Sequence, residues 1–329
     1  MAQTGVDAEV LSDAVRLACR APSLHNSQPW KWVGEGTGLH LFLDRDRLVE
    51  SSDDCGPARE AIISCGAVLD HLRVAAAVAG WASSVARFPD PDDPDHIASV
   101  DFAPLADVGD AHRRRADAIL RRRTDRLPFA APDNWGFVEP SLRACAEAAA
   151  VHLDVVPDEL RPQLAEASQL TDALRLYNSS YHAELAWWTA PFGTSDGIPR
   201  SALISAAESD RVDVGRAFPV APQRDRRAEL TEDRAVVLVL STDGHRPLDA
   251  LRSGEALSRV LLDCTLAGLA SCPVTHLTEL TEGRGLINTL IRRNGMPQAL
   301  IRVGRVPAID EMSPMTPRRA LDDVLEWRR

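Results

Sequence analysis

The chain has 329 residues, 45% hydrophobic and 26% charged, with a formal net charge of -11. That profile is globular rather than disordered or fibrous, and the length fits about two ordinary domains. The acidic balance repels polyphosphate, so nucleic acid is not an expected partner. No signal-peptide core opens the chain and no apolar run reads as a membrane span, so a cytoplasmic location is expected. The six cysteines form no CxxC pair and read as free thiols rather than metal ligands.

In chain order, residues 7–20 read as an amphipathic helix, with Val10, Ala14, Leu17 and Ala18 on one face. Pro22 ends it by pushing Ala21 out of the helical region. Ser23–Trp30 reads as a loop. The glycines Gly34, Gly36 and Gly38 precede a strand instead of linking a strand to a helix, so they mark a turn and not a phosphate loop. Leu39–Leu43 is an expected strand, residues 57–80 a long apolar helix, and Ile97–Phe102 a strand. A charged helix follows at 110–123, then an irregular stretch at 124–140. The later part repeats the alternation. It has a helix at 141–149, a strand at Val151–Val156, helices near 158–174 and 177–189, a strand at Ala235–Leu240, a helix at 251–270 and a last strand at Ala299–Val303. Residues 190–230 form a long connection, and a loop of that length in a compact domain is usually functional. Alternating strands and helices predict a layered fold of both element types.

A faint repeat accompanies this. Shifted by 188, residues 66–85 fall on 254–273 and match at Gly66/Gly254, Leu69/Leu257, Ala79/Ala267, Gly80/Gly268, Ala82/Ala270 and Ser83/Ser271. Taken alone, two alanine-rich helices can match this well by composition.

Four segments carry chemistry. The first is Ala21–Trp30, APSLHNSQPW, with Pro22, Ser23, His25, Asn26 and Gln28. The second is Arg122-Arg123-Thr124-Asp125-Arg126, which offers forked guanidinium donors and a hydroxyl, groups that a phosphate dianion favours. The neighbouring Arg113–Arg115 read as a solvated helix face. The third is Pro273-Val274-Thr275-His276, and the fourth is Arg318-Arg319 near the end. No GxGxxG at a strand–helix junction, Walker loop, GxSxG elbow or HExxH is present.

The first segment resembles the P-S-x-x-N-x-Q-P-W loop of the nitroreductase superfamily, matched by Pro22, Ser23, Asn26, Gln28, Pro29 and Trp30. The second resembles that superfamily's R-R-S-x-R element, matched by Arg122, Arg123, Thr124 and Arg126. The resemblance implies an FMN cofactor. The loop would contact the flavin ring and ribityl chain, and Arg122, Thr124, Arg126, Arg318 and Arg319 would hold the phosphate. Pro273–His276 would lie near flavin N5, with His276 either a ring contact or a surface residue. No side chain need act as acid or base, since the flavin carries the redox chemistry.

The order of the motifs is unusual. In ordinary nitroreductases the phosphate element comes first and the loop follows within the same half. Here the loop lies at 22–30 and the arginine element at 122–126. Each half keeps what the other lacks, an arrangement that looks like the Acg family of nitroreductase-like flavoproteins. The resemblance implies an α+β nitroreductase-like fold, with mixed antiparallel sheets surrounded by helices. Two fused, unequal halves, 1–112 and 113–329, would mimic the usual homodimer within a monomer. Residues 190–225 would form a lid over the flavin. Two functions remain open at this point. One is NAD(P)H-dependent reduction of a nitroaromatic or quinone through flavin N5. The other is silent storage or sequestration of FMN beneath a closed lid.

Overall fold

The computed structural model describes residues 5–49, 54–56, 58–190, 195–307 and 315–328. Residues 191–194 of the expected lid lie outside these. In chain order the elements are α1 (Ala8–Ala18), β1 (Trp30–Glu35), β2 (Gly38–Leu43), α2 (Ala58–Val78), β3 (Trp81–Arg87), β4 (His96–Pro104) and α3 (Asp110–Arg121). They continue with α4 (Trp135–Glu147), β5 (His152–Val155), α5 (Arg161–Leu174), α6 (Ser179–Trp188), α7 (Ala206–Ser209) and β6 (Val236–Thr242). Last come α8 (Pro247–Leu266), β7 (Ala270–Val274), α9 (Thr281–Ile291), β8 (Met296–Gly304) and β9 (Leu325–Arg328).

The strands form two sheets, ordered β3-β4-β2-β1-β9 and β5-β6-β8-β7. Without β9 the two orders are the same, each half contributing its strands in equivalent places. Every pairing is antiparallel in both, and only β9 runs parallel to β1. The chain end therefore returns to the first sheet. A division into two consecutive halves did not include that return.

Helices α2 and α8 are the centre of the molecule. Both are buried on most of their circumference, as interior helices are. They cross at Gly66 and Gly254. A Cβ on Gly66 would lie 2.1 Å from the Leu251 carbonyl oxygen, and one on Gly254 would lie 1.9 Å from that of Ile63. Backbone cannot yield to a side chain there, so only glycine permits the crossing. One turn further along, Ser258 Oγ donates to Asp70 Oδ2 at 2.6 Å. Both pairs are separated by 188 residues, the offset of the sequence repeat. Equivalent residues meeting each other is the signature of contact across a two-fold axis. Each helix also ends in a left-handed glycine, Gly80 at φ 87° and Gly268 at φ 74°.

Several sequence expectations change. Trp30–Glu35 is a strand hydrogen-bonded to β2 through a turn at Gly36, where the sequence reading saw only loop and turn. Trp81–Arg87 and Ala270–Val274 are strands, and α8 ends four residues earlier than expected. Helix α4 begins at Trp135 and carries Pro140 within it. Helix α9 and strand β9 were not anticipated. Helix α2 is long and apolar enough to cross a membrane by composition, contrary to the sequence reading, but 83% of its apolar window is buried inside the protein. Among the described residues no disulfide links the six cysteines.

Candidate functional site: an arginine cluster beside an apolar cavity

The loop after α1 is held in an unusual backbone conformation. His25, Asn26 and Gln28 have φ of 49°, 59° and 51°, in the left-handed region that side chains disfavour. Surrounding bonds over-determine it. Ser23 Oγ accepts from Gln28 N at 3.0 Å, and Leu24 N donates to Ser64 Oγ of α2 at 3.2 Å. Asn26 Nδ2 donates to the carbonyls of Gly197 at 3.0 Å and Pro317 at 3.2 Å. One loop thus contacts the first half, the long 195–230 segment and the chain end.

Three segments then converge. Helix α3 delivers Arg122, Arg123, Thr124 and Arg126. Thr124 bridges to Ser271, and Asp125 N donates to the Ser271 carbonyl at 3.0 Å, which fixes the segment against β7. The chain end delivers Arg318, whose guanidinium donates to the carbonyls of Cys19 at 2.8 Å and of Arg20 and Ala21 at 3.1 Å. Helix α1 delivers Arg20, whose Nη2 donates to the Thr316 carbonyl at 2.9 Å. Arg20, Arg122, Arg123 and Arg318 line one cavity of about 470 Å³, together with Ser23, Asn26 and Thr124. Among the described residues no carboxylate lines it.

The electrostatic consequence is direct. Burial, then repulsion from Arg123 and Arg20, lowers the Arg122 pKa to about 10. Burial, then Arg20 and Arg122, pushes Arg318 well below the ordinary arginine range. Arg20 and Arg123 shift the same way, each chiefly through burial. Arg122 is buried, yet its Nε and Nη1 have no hydrogen-bond acceptor, and its Nη2 reaches only the Arg20 carbonyl at 3.5 Å. Buried polar groups are nearly always satisfied, and buried charge is costly unless compensated. Such an arrangement suits an anion.

A second cavity of about 950 Å³ adjoins the first. The two share Pro22, Ser23, Thr124 and Arg126. The scaffold contributes Leu24, His25, Ile63, Leu257 and the Cys272–Thr275 strand end, while Ile204, Val212 and Phe218 close it from the 195–230 segment. Its walls are mostly apolar with several polar groups, as in many ligand sites. His25 meets Phe218 edge-on at 5.8 Å, and Arg126 lies over the same ring at 4.9 Å. Burial, followed by the nearby Arg216, drives the His25 pKa well down, so this histidine is neutral.

Three residues expected at the site lie elsewhere. Gln28 is fully buried and lines neither cavity. Its Nε2 donates to the Ser195 carbonyl at 2.9 Å and its Oε1 accepts from Arg319 N at 3.0 Å, so its amide pins the covering segment and the chain end. Arg319 turns away from the arginine cluster and pairs with buried Asp44 at 3.2 Å, which Lys31 also holds at 3.0 Å. A carboxylate within reach outcompetes a site already crowded with cations. His276 is not a surface residue and lines neither cavity. It is buried, its Nε2 lies 2.8 Å from Ser168 Oγ, and burial lowers its pKa to about 3. Conversely, Arg20 was not foreseen, although a lone base just before the Pro22 break was its signal. Arg216 and Phe218 were also missed, because they sit in a segment with no periodicity.

Residues 195–230 fold over the cavity as a tied unit. Ser205 and Glu208 make a reciprocal cap on α7. Arg226 donates to both Glu208 oxygens at 2.9 Å and to the carbonyls of Ser201 at 3.0 Å and Leu203 at 2.8 Å. Ile198, Leu203 and Ala221 form a small apolar cluster with Phe218. Arg216 anchors the segment to the scaffold. It donates to Tyr181 Oη at 2.8 Å and to buried Glu279, which Arg175 also engages.

No family model matches the chain. Among curated proteins, "Putative NAD(P)H nitroreductase acg" of Mycobacterium tuberculosis H37Rv is 56% identical over 100% of this chain and 98% of its own. Rv3127 of the same organism is 52% identical over 97% of this chain and 94% of its own. Among solved structures, the FMN-dependent nitroreductase NfnB from Mycobacterium smegmatis in complex with NADPH aligns with a TM-score of 0.45 and 18% identity, covering 66% of this chain and 99% of that one. The chain belongs to the Acg family of nitroreductase-like proteins.

Glu208 gives the covering segment a pH dependence. Burial alone would raise its pKa, but hydrogen bonds from Arg226, Ser205 N and Arg226 N override that and hold it at about 2, against an ordinary 4.5. A depressed carboxylate stabilises the fold above its ordinary pKa and loses that contribution as pH falls through the depressed value. Protection of peptides spanning 198–226 against hydrogen exchange, corrected for the pH dependence of the intrinsic rate, should therefore fall between about pH 4.5 and pH 2, and Glu208→Gln should show the lowered protection already at neutral pH. Exchange that is unchanged in the variant would remove Glu208 as the organising group.

Proposed function

We propose that this chain binds one FMN, with the phosphate in the arginine cluster and the isoalloxazine ring in the adjoining cavity. The observation that carries the reading is the buried Arg122 guanidinium, two of whose nitrogens lack an acceptor in a cavity lined by no carboxylate among the described residues. A phosphate dianion would satisfy those donors and offset the mutual repulsion of Arg20, Arg122, Arg123 and Arg318. Asn26 Oδ1, also buried without a partner, faces the same space as an acceptor for a ligand hydroxyl. Pro22, Ser23 and Thr124 line both cavities and would flank the ribityl chain. The strand end at Pro273–Thr275 would present backbone donors to the ring. The names of the curated relatives and the FMN and NADPH of the solved nitroreductases agree with this chemistry.

When bound, FMN would supply hydride acceptance and donation, from NAD(P)H to a nitroaromatic or quinone. The protein's part is to hold the ring, exclude water and control access. Repeated strand order and the 188-residue offset across the central helices support descent of the two halves, about 1–112 and 113–329, from one duplicated unit. In that reading the phosphate groups of one half and the ring loop of the other serve a single site, and the chain is a monomer.

The ties on 195–230 support a second reading, in which the lid rests closed and the protein holds FMN rather than turning it over. A nicotinamide must stack on the ring, so the lid must open for turnover. The Arg216–Glu279 ion pair is the buried link that opening would break.

Two measurements separate these claims. A charge-assisted hydrogen bond contributes about 1.5–3 kcal/mol, so Arg122→Ala should weaken FMN binding about 10–100-fold, whereas exposed Arg114→Ala should leave it unchanged. Equal effects would remove the phosphate assignment. NADPH oxidation with an added nitroaromatic is then compared between the wild type and Arg216→Ala. Rapid wild-type turnover rejects storage. A slow wild type accelerated by the variant supports a closed lid over a competent flavin. An FMN-loaded protein that NAD(P)H reduces in neither form rejects the reductase reading.

A further inference from the structure

The two-fold relation between the halves places a counterpart opposite the cavity just described. The larger cavity is lined by Ser64 on α2, by Thr275 after β7, and by the chain that follows α1. At the 188-residue offset, Ser64 corresponds to Arg252 and Thr275 to Arg87. The chain that follows α1 corresponds to the chain that follows α4. Arg252, Arg87 and residues Glu147–Ala150 do line one groove, of about 640 Å³, together with Arg73, Arg259 and Glu255. Three segments agree on the correspondence, so the groove is the mate of the cavity by position.

Its contents have diverged. The connection between α4 and β5 spans 148–151, whereas that between α1 and β1 spans 19–29. No ring-contacting loop is left. Two hydroxyl positions have become arginines, and Arg87 forks onto Glu255 at 2.7 and 2.8 Å where the mate cavity stays open. The charges that fill the groove are unevenly matched. Arg259 is held by Asp70 at 3.0 Å, and Glu255 is occupied by Arg87. Glu147 sits exposed at the rim. Among the described residues neither Arg73 nor Arg252 makes an ion pair, and Arg73 Nε is buried with no hydrogen-bond partner. Of the carboxylates at the groove, Glu255 is committed to Arg87 and Asp70 to Arg259, and neither these nor the rim residue Glu147 forms an ion pair with Arg73 or Arg252 among the described residues.

We propose that this groove is a second ligand site, one that takes a small phosphate-bearing anion and no flavin. Forked guanidiniums match phosphate oxygens in pairs, and the Arg87–Glu255 pair fixes the groove floor without using Arg73 or Arg252. The proposal stands on the two-fold geometry, and only the absorbance and flavin-count controls in its test rest on the flavin reading.

The test is calorimetric titration of the purified full chain, as isolated with its cofactor, with inorganic pyrophosphate in a phosphate-free buffer of low salt. Wild type should bind one equivalent in a chloride-sensitive manner. Arg73→Ala/Arg252→Ala should bind at least about tenfold more weakly, the loss of one or two charge-assisted bonds, with unchanged visible absorbance. Arg252→Glu, a single change at the groove wall, should abolish binding and guards against a double variant that misfolds. Arg122→Ala should leave this equivalent intact, which separates the groove from the arginine cluster. No pyrophosphate binding by wild type, or binding that is equal in the groove variants, would overturn the proposal, as would a second bound flavin.

Discussion

The structure depends on repulsion among four guanidiniums held around one cavity that no carboxylate lines among the described residues. Arg20, Arg122, Arg123 and Arg318 come from α1, the end of α3 and the chain end, and burial lowers the proton affinity of each. Such an assembly is unfavourable unless something negative joins it. The fold pays this cost with backbone carbonyls. Arg318 takes those of Cys19, Arg20 and Ala21, and Arg20 takes that of Thr316. Carbonyls orient the cations without neutralising them, so the attraction for an anion is kept.

The scaffold can hold this cluster because its centre is rigid. Gly66 and Gly254 let α2 and α8 approach backbone to backbone, and the sheets repeat one strand order on either side. Return of the chain end to β1 as strand β9 carries Arg318 back across the molecule to α1. Asn26 and Gln28 then fasten the covering segment to the same loop that borders the cluster. Cluster, cavity and cover therefore share a single loop, whose left-handed residues His25, Asn26 and Gln28 are locked by those contacts.

The sequence made the long elements legible wherever periodicity was strong. Helices α2, α3 and α8 and strands β2, β4, β6 and β8 fall near their expected places. Strands β1, β3 and β7 did not, because small residues, glycine and proline weaken the alternation, and their pairing partners lie elsewhere in the chain. The same division holds at the site. Pro22, Ser23, His25, Asn26, Arg122, Arg123, Thr124, Arg126, Pro273, Val274, Thr275 and Arg318, the residues singled out by the motif resemblance, line the two joined cavities. Gln28, Arg319 and His276 have equally suitable chemistry but are claimed by Ser195, Asp44 and Ser168. Residue type states what a group can bond, and only the fold decides which partner wins. Arg216 and Phe218 show the converse, since their roles arise from a cover whose conformation no local pattern encodes.

The most direct test of the central claim compares FMN with riboflavin, which has the same ring and ribityl chain but no phosphate, by fluorescence titration of the flavin-stripped chain. The account predicts one equivalent of FMN per chain, and riboflavin binding weaker by about a hundredfold or more, as expected when two charge-assisted bonds to phosphate are lost. Equal affinity for the two compounds, or two FMN per chain, would contradict it.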